Sequence, residues 1–100
     1  MALKVYIAGK VSGEPLAQCT MKFGAAQKLI ESQGHVAFNP LQLVNDFKMP
    51  WHMAMRICLA SLASCDAIYA LPCSLDSSGA LIELQIARML KIPLFKIEKK

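Results

Sequence analysis

Two short segments of this chain gather the residue types that hold anions. The first is Gly9-Lys10-Val11-Ser12-Gly13-Glu14, a Gly-x-x-x-Gly turn carrying a lysine and a hydroxyl. The second is Ser74-Leu75-Asp76-Ser77-Ser78-Gly79, which runs into an apolar, helix-like stretch. Backbone N–H groups at a helix start are unpaired and partially positive, and with glycines and hydroxyls they form an anion site. Each feature also has a plainer reading. Ser77, Ser78 or Asp76 serves as a helix N-cap, and the glycines serve as turn formers. Glu83 is the third feature. It follows Gly79 by four residues, so the two share a helix face, among Ala80, Leu81, Ile82, Leu84 and Ile86. Either it is the solvated acid of an amphipathic helix, or it is a carboxylate aimed into a site beside the helix start. The residues alone leave both open.

The elements that must position these groups follow from periodicity. Val5-Tyr6-Ile7-Ala8 is β-branched and aromatic and stops at Gly9, which predicts a buried strand. Pro15 opens a helix whose stripe is Leu16, Cys19, Phe23, Ala26 and Ile30, ending at Gly34. Residues 35–38 form a second strand, stopped by Asn39-Pro40. Residues 41–49 have no clear period. Pro50 opens a second helix with the stripe Trp51, Met55, Cys58 and Leu62. A third strand covers 67–71 after Asp66, a third helix runs from about Gly79 to Leu90, and Pro93 opens a fourth strand over 94–97. Strands alternating with helices predict one α/β domain over residues 1–100. It would be a flavodoxin- or Rossmann-like three-layer fold with a four-stranded parallel sheet in the order 2-1-3-4. Ligands bind such sheets beyond the carboxyl ends of the strands, where the strand order reverses. Here that point lies between strands 1 and 3, and the loops 9–14 and 72–78 frame it.

The bulk properties narrow the class. One hundred residues fit a single small domain, and a composition 55% hydrophobic is rich for one, which favours a homodimer or higher homo-oligomer. The net charge of +4 suits a small anionic ligand. Lys and Arg are too scattered for a nucleic-acid polymer. No apolar run approaches the roughly 20 residues that span a bilayer, and the N-terminus lacks a signal-peptide pattern, so a cytoplasmic protein is expected. The four cysteines form no C-x-x-C pair and lie at no metal-ligand spacing, which reads as free buried thiols. The six methionines read as gap-filling core, His35 and His52 have no evident partner, and Trp51 reads as core, interface or a stacking surface.

The fragments VYIAGKVSG, GHVAFNP and CDAIYALPCSLDSSGALIELQIA, with Trp51 and Met55 as a W-x-x-x-M pair, resemble the nucleoside 2-deoxyribosyltransferase-like superfamily. They look more like its small branch of uncharacterised phage and bacterial proteins, and the likeness runs from Val5 to Ala87. The resemblance implies cleavage of an N-glycosidic bond, with Glu83 as nucleophile toward the sugar C1′ and Tyr6 orienting it. It implies a loop of Gly9, Lys10, Val11, Ser12 and Gly13 around a 5′-hydroxyl or phosphate, joined by Ser77 and the helix start at Ser78-Gly79. It implies no metal and no organic cofactor. Lys10 tilts the expectation toward a nucleotide, and Asn39 is a further candidate contact. The chain departs from the superfamily at one point. The superfamily carries an aspartate eight residues before the position of Asp66, and this chain has Cys58 there. Losing an acid that protonates the leaving base slows such chemistry by roughly 10²–10⁴-fold, unless Asp76 takes the role. A nucleotide-binding protein without turnover, of phage or prophage origin, is therefore the alternative reading.

Overall fold

The computed structural model describes residues 2–11, 13–44 and 48–96. Strand β1 (Lys4–Ala8) is followed by α1 (Leu16–Ser32), β2 (Val36–Phe38), the single turn α2 (Pro40–Leu43), α3 (Trp51–Ala63), β3 (Ala67–Ala70), a 3₁₀ helix (Pro72–Asp76) and α4 (Ser78–Met89). The sheet order is β2-β1-β3, parallel throughout, with Tyr6 opposite both Phe38 and Ile68. Asp66 fixes this register at one end. Its carboxylate accepts from the Lys4 N–H (2.9 Å) while its own N–H donates to the Lys4 carbonyl (2.8 Å).

Successive side chains of a strand point to opposite faces, and β1 uses both. Val5 and Ile7 meet Cys19, Phe23, Ala26 and Ile30 of α1 on one face. Tyr6 and Ala8 meet Cys58 and Leu62 of α3 and Ala80 and Ala87 of α4 on the other. The result is a three-layer α/β domain. Leu16, expected on the α1 stripe, is 52% exposed. Helix α1 ends where the glycine signal placed it. Gly34 adopts φ +84°, the Gly34 N–H reaches the Glu31 carbonyl and the His35 N–H reaches that of Ile30, the paired bonds of a Schellman end.

The sheet has three strands, not the expected four. The segment after Pro93 makes one parallel bridge, Leu94 to Ile68. Ile68 N–H donates to the Pro93 carbonyl (3.0 Å) and Phe95 N–H to the Ile68 carbonyl (2.7 Å). Proline has no N–H to extend that ladder toward α4, and Leu94 stays 62% exposed, so burial does not hold the segment on the sheet. Ile97, the end of the expected strand, lies outside the described residues. Two short helices were not expected. Pro40–Leu43 and Pro72–Asp76 each begin with a proline, preset for a first helical turn, but are too short for periodicity to report. His35 also has partners after all. Its Nδ1 accepts from the Leu3 N–H (3.0 Å), and its ring meets Phe95 edge-on at 5.3 Å.

Gly9 shows why β1 ends as it does. A Cβ there would lie 2.7 Å from Leu71 Cδ1 and 3.0 Å from Phe23 Cζ. Gly9→Val should therefore overpack the junction of β1, α1 and β3 and cost about 1–3 kcal/mol. Urea denaturation measures this, and an unchanged midpoint would show that the junction has slack.

Candidate functional site

A cavity of about 200 Å³ opens beside the carboxyl end of β1, on the sheet face that carries α3 and α4. Gly9 and Val11 line it from the first loop, and Pro40 and Leu41 from α2 with Val44 and Met49 beyond. Helix α3 contributes Trp51, Ala54, Met55 and Cys58; Ser77, Gly79, Ala80 and Glu83 come from the start of α4. The walls are mostly apolar. Among the described lining residues Glu83 is the one carboxyl group, and there is no lysine or arginine.

Glu83 faces inward. The buried residues of α4 are Gly79, Ala80, Glu83 and Ala87, so the acid occupies a stripe of small side chains that lets the helix approach the sheet. It is 5% exposed. Tyr6 is fully buried, and its hydroxyl donates to Glu83 Oε2 at 2.5 Å. The alternation of β1 makes this possible, because position 6 points into the α3/α4 layer while its neighbours point into the α1 layer. Burial pushes the Glu83 carboxyl up to about 7, and the Tyr6 hydrogen bond opposes that rise. Burial, then the neighbouring Glu83 charge, pushes the Tyr6 phenol up, so it stays a donor. Cys58 is the third member. It is 6% exposed, packs in the same buried cluster as Tyr6, and its thiol is pushed up by burial.

The other sequence candidates are placed as follows. Ser77 lines the cavity, and its hydroxyl caps α4 by accepting from the Ala80 N–H at 3.2 Å. The cap of α4 is thus Ser77 rather than Asp76 or Ser78. Gly79 lets α3 close on α4, since a Cβ there would lie 3.3 Å from Met55 Sδ and 3.6 Å from Trp51 Nε1. Ser78 and Asp76 are exposed, and neither lines the cavity. Lys10 does not line it either; its N–H donates to Cys73 Sγ at 3.3 Å. Gly13 adopts φ +82° in the turn closed by the Glu14 N–H to the Val11 carbonyl. Asn39 is buried and caps α2, accepting from the Leu41 N–H (3.0 Å) and donating to Gln27 (3.1 Å). Ser12 lies outside the described residues.

The two framing loops touch each other. Lys22 Nζ bridges Glu14 (2.8 Å) and Cys73 Sγ (3.0 Å), and the Lys10 N–H reaches the same sulfur. Among the described residues no group of three or more His, Cys, Asp or Glu side chains could hold a metal ion. All four cysteines are free thiols, three of them buried and Cys73 half-buried. No helix among the described residues is long and apolar enough to cross a membrane.

Leu41, Val44 and Met49 were not foreseen as site residues. They come from the stretch without a period, and only its apolar content hinted at a wall. That Cys58 packs in one cluster with Tyr6 was not legible, because the two are far apart in sequence.

Tyr6→Phe removes the donor and leaves Glu83 among apolar walls. A hydrogen bond to a charged group is worth about 1.5–3 kcal/mol. The carboxyl should then hold its proton to higher pH, and any Glu83-dependent turnover near neutrality should fall roughly 10–100-fold. A pH–rate profile of the variant measures this, and an unmoved acid limb would separate Tyr6 from the ionisation of Glu83.

The structure matches the 2-deoxyribosyltransferase from Bacillus psychrosaccharolyticus with a TM-score of 0.69 and 18% identity, over 91% of this chain and 69% of that one. At that identity the likeness is one of fold. The chain belongs to the family described as a domain of unknown function, DUF4406, whose model matches residues 3–96. No curated protein matches the chain by sequence.

Proposed function

We propose that this protein cleaves the N-glycosidic bond of a 2′-deoxynucleoside or its 5′-monophosphate, as a hydrolase or a deoxyribosyltransferase. The observation that carries this reading is the buried Tyr6–Glu83 pair in the wall of the cavity. Tyr6 occupies Oε2 of the carboxylate and leaves Oε1 to attack C1′ of the sugar. The C1′–N bond breaks, its electron pair leaves with the base, and a covalent glycosyl-enzyme forms. Water or a second base then attacks C1′ and frees the carboxylate. The carboxyl must be ionised to attack, so kcat/KM should rise with pH through about 7.

The cavity suits the sugar and part of a base. At about 200 Å³ it is smaller than the roughly 300–1,000 Å³ of pockets that enclose larger ligands. Trp51, 48% exposed and part of the lining, would cover the base. Gly9, Val11, Ser77 and Gly79 frame the end nearest the loops, where the 5′-group of the sugar would sit with Lys10, Ser12, Gly13 and Ser78 close in sequence. A homo-oligomer belongs to the same reading. Met53, Ile57, Ile82 and Met89 leave apolar surface on α3 and α4, which association of copies would cover. Light scattering of a monodisperse monomer at micromolar concentration would remove that part.

A second reading has its own observation. Cys58 stands where the superfamily carries an aspartate, and the described lining holds no second carboxyl to protonate a leaving base. On that reading the protein binds a nucleotide and does not turn it over. One experiment separates the two. Trp51 is the only tryptophan of the chain, so its emission should change when a nucleoside or nucleotide enters. Chromatography of the same mixture reads free base. Emission change with base release supports the enzyme, emission change without release supports the binder, and neither would contradict both.

A further inference from the structure

We propose that Lys22 is a positioning residue: by tying Glu14 to Cys73 it clamps together the two loops that frame the cavity, and so sets how tightly the site holds its ligand. The nature of that ligand rests on the function proposed above; the clamp itself does not. Lys22 lies on α1, outside the cavity lining. Its Nζ donates to Glu14 Oε1 at 2.8 Å and to Cys73 Sγ at 3.0 Å. The same sulfur accepts from the Lys10 N–H at 3.3 Å. One side chain therefore holds the first loop at two points, directly at Glu14 and through the sulfur at Lys10, and joins both to the 3₁₀ helix that carries Cys73. Cys19, one turn earlier on α1, adds thiol contacts of 3.8 Å to the Lys10 and Val11 carbonyls.

The first loop needs such support. Its turn closes through the Glu14 N–H to the Val11 carbonyl at 3.3 Å, at the long end of the hydrogen-bond range, and Gly13 brings no side chain to pack there. Gly9 and Val11 of this loop line the cavity, and so does Ser77, which directly follows the 3₁₀ helix. A change in the spacing of the two loops therefore moves two walls of the cavity at once. Burial alone would lower the Lys22 ammonium, but its hydrogen bonds to Glu14 and Cys73 outweigh that and raise it, so it stays charged with three donors. The Lys22 and Glu14 side chains are 24% and 21% exposed. A pair that accessible to water adds little to global stability, so losing it should loosen the loops without unfolding the chain. Glu14 already matches the charge of the ammonium, which fits a clamp better than a direct ligand for phosphate.

The test compares Lys22→Met, Cys73→Ala and the double variant with the unaltered chain, and thermal melting confirms that each folds. Hydrogen exchange read by mass spectrometry needs no ligand. Lys22→Met should speed exchange roughly 10-fold in peptides that report residues 9–11 and 72–77, and leave β1 as it was. Trp51 emission then titrates the natural 2′-deoxynucleosides and their 5′-monophosphates. Lys22→Met should raise Kd roughly 3–10-fold for nucleoside and monophosphate alike, with kcat within about twofold, because the loops hold the ligand while Glu83 stays in place. Cys73→Ala should act in the same direction, and the double variant should lose less than the sum of the two, since both single changes cut the same Lys22–Cys73 contact. The proposal is overturned if exchange in the two loops or Kd is unchanged in Lys22→Met, or if the two losses simply add. It is also overturned if weaker binding is confined to the monophosphates, which would make Lys22 a phosphate ligand. If the unaltered chain binds none of these compounds, the proposed function fails while loop exchange still decides the clamp.

Discussion

Glu83→Gln should abolish base release from 2′-deoxynucleosides and their 5′-monophosphates, by about 10³-fold or more, while ligand still changes the Trp51 emission. Glutamine keeps the shape of the side chain and a carbonyl oxygen for the Tyr6 hydroxyl, so the small-residue stripe of α4 stays packed. What is lost is the anionic oxygen that would bond to C1′. Removing a nucleophile outright costs more than removing a group that orients it, and losses of 10⁴-fold and above are known for such knock-outs. Tyr6→Phe, at roughly 10–100-fold, should therefore be much milder. Timed chromatography of free base measures both. A glutamine variant as fast as the unaltered chain would place the chemistry elsewhere.

The same substitution should change how stability depends on pH. The Glu83 midpoint of about 7 in the folded chain lies above the 4.5 of an unperturbed carboxyl. Carboxyls in folded proteins more often move downward, but here burial outweighs the hydrogen bond. Below pH 4.5 the group is protonated in both states and adds nothing. Between pH 4.5 and 7 the unfolded chain releases its proton while the folded chain keeps it, so stability falls as pH rises. Above pH 7 the penalty is constant. That gap corresponds to about 3 kcal/mol, at about 1.4 kcal/mol per pH unit. Glutamine does not titrate. Relative to the unaltered chain, Glu83→Gln should gain about 3 kcal/mol between pH 4 and pH 8. Urea denaturation of both proteins at the two values reads it. A stability difference equal at both pH values would mean that Glu83 titrates normally in the folded chain.

Much of the fold was legible in the sequence because the structure uses simple periods. The α1 stripe Cys19, Phe23, Ala26 and Ile30 is buried as its spacing required, and β1 divides its side chains between two cores. The misses have local causes. Pro93 and the exposed Leu94 reduce a fourth strand to one bridge. The stretch after α2 is apolar without a period because Leu41, Val44 and Met49 line a cavity instead of packing on one face. The environment of Glu83 was half legible. Helix α4 is apolar nearly all round, and Leu81 and Ile82 remain exposed, so hydrophobicity could not say which face turned inward. The small residues could: Gly79, Ala80 and Ala87 mark the close approach, and Glu83 lies among them. The hydrogen bond of Tyr6 to Glu83 and its packing with Cys58 join three elements distant in the chain, which no local pattern records.

The most direct measurement is mass spectrometry of the protein quenched in acid during turnover of a 2′-deoxynucleoside, followed by peptide mapping. The expected result is one deoxyribosyl unit attached to the peptide that contains Glu83, absent in Glu83→Gln and discharged when a second base is added. Base release with no adduct at any quench time, or an adduct on another residue, would contradict the assignment of Glu83 as the nucleophile.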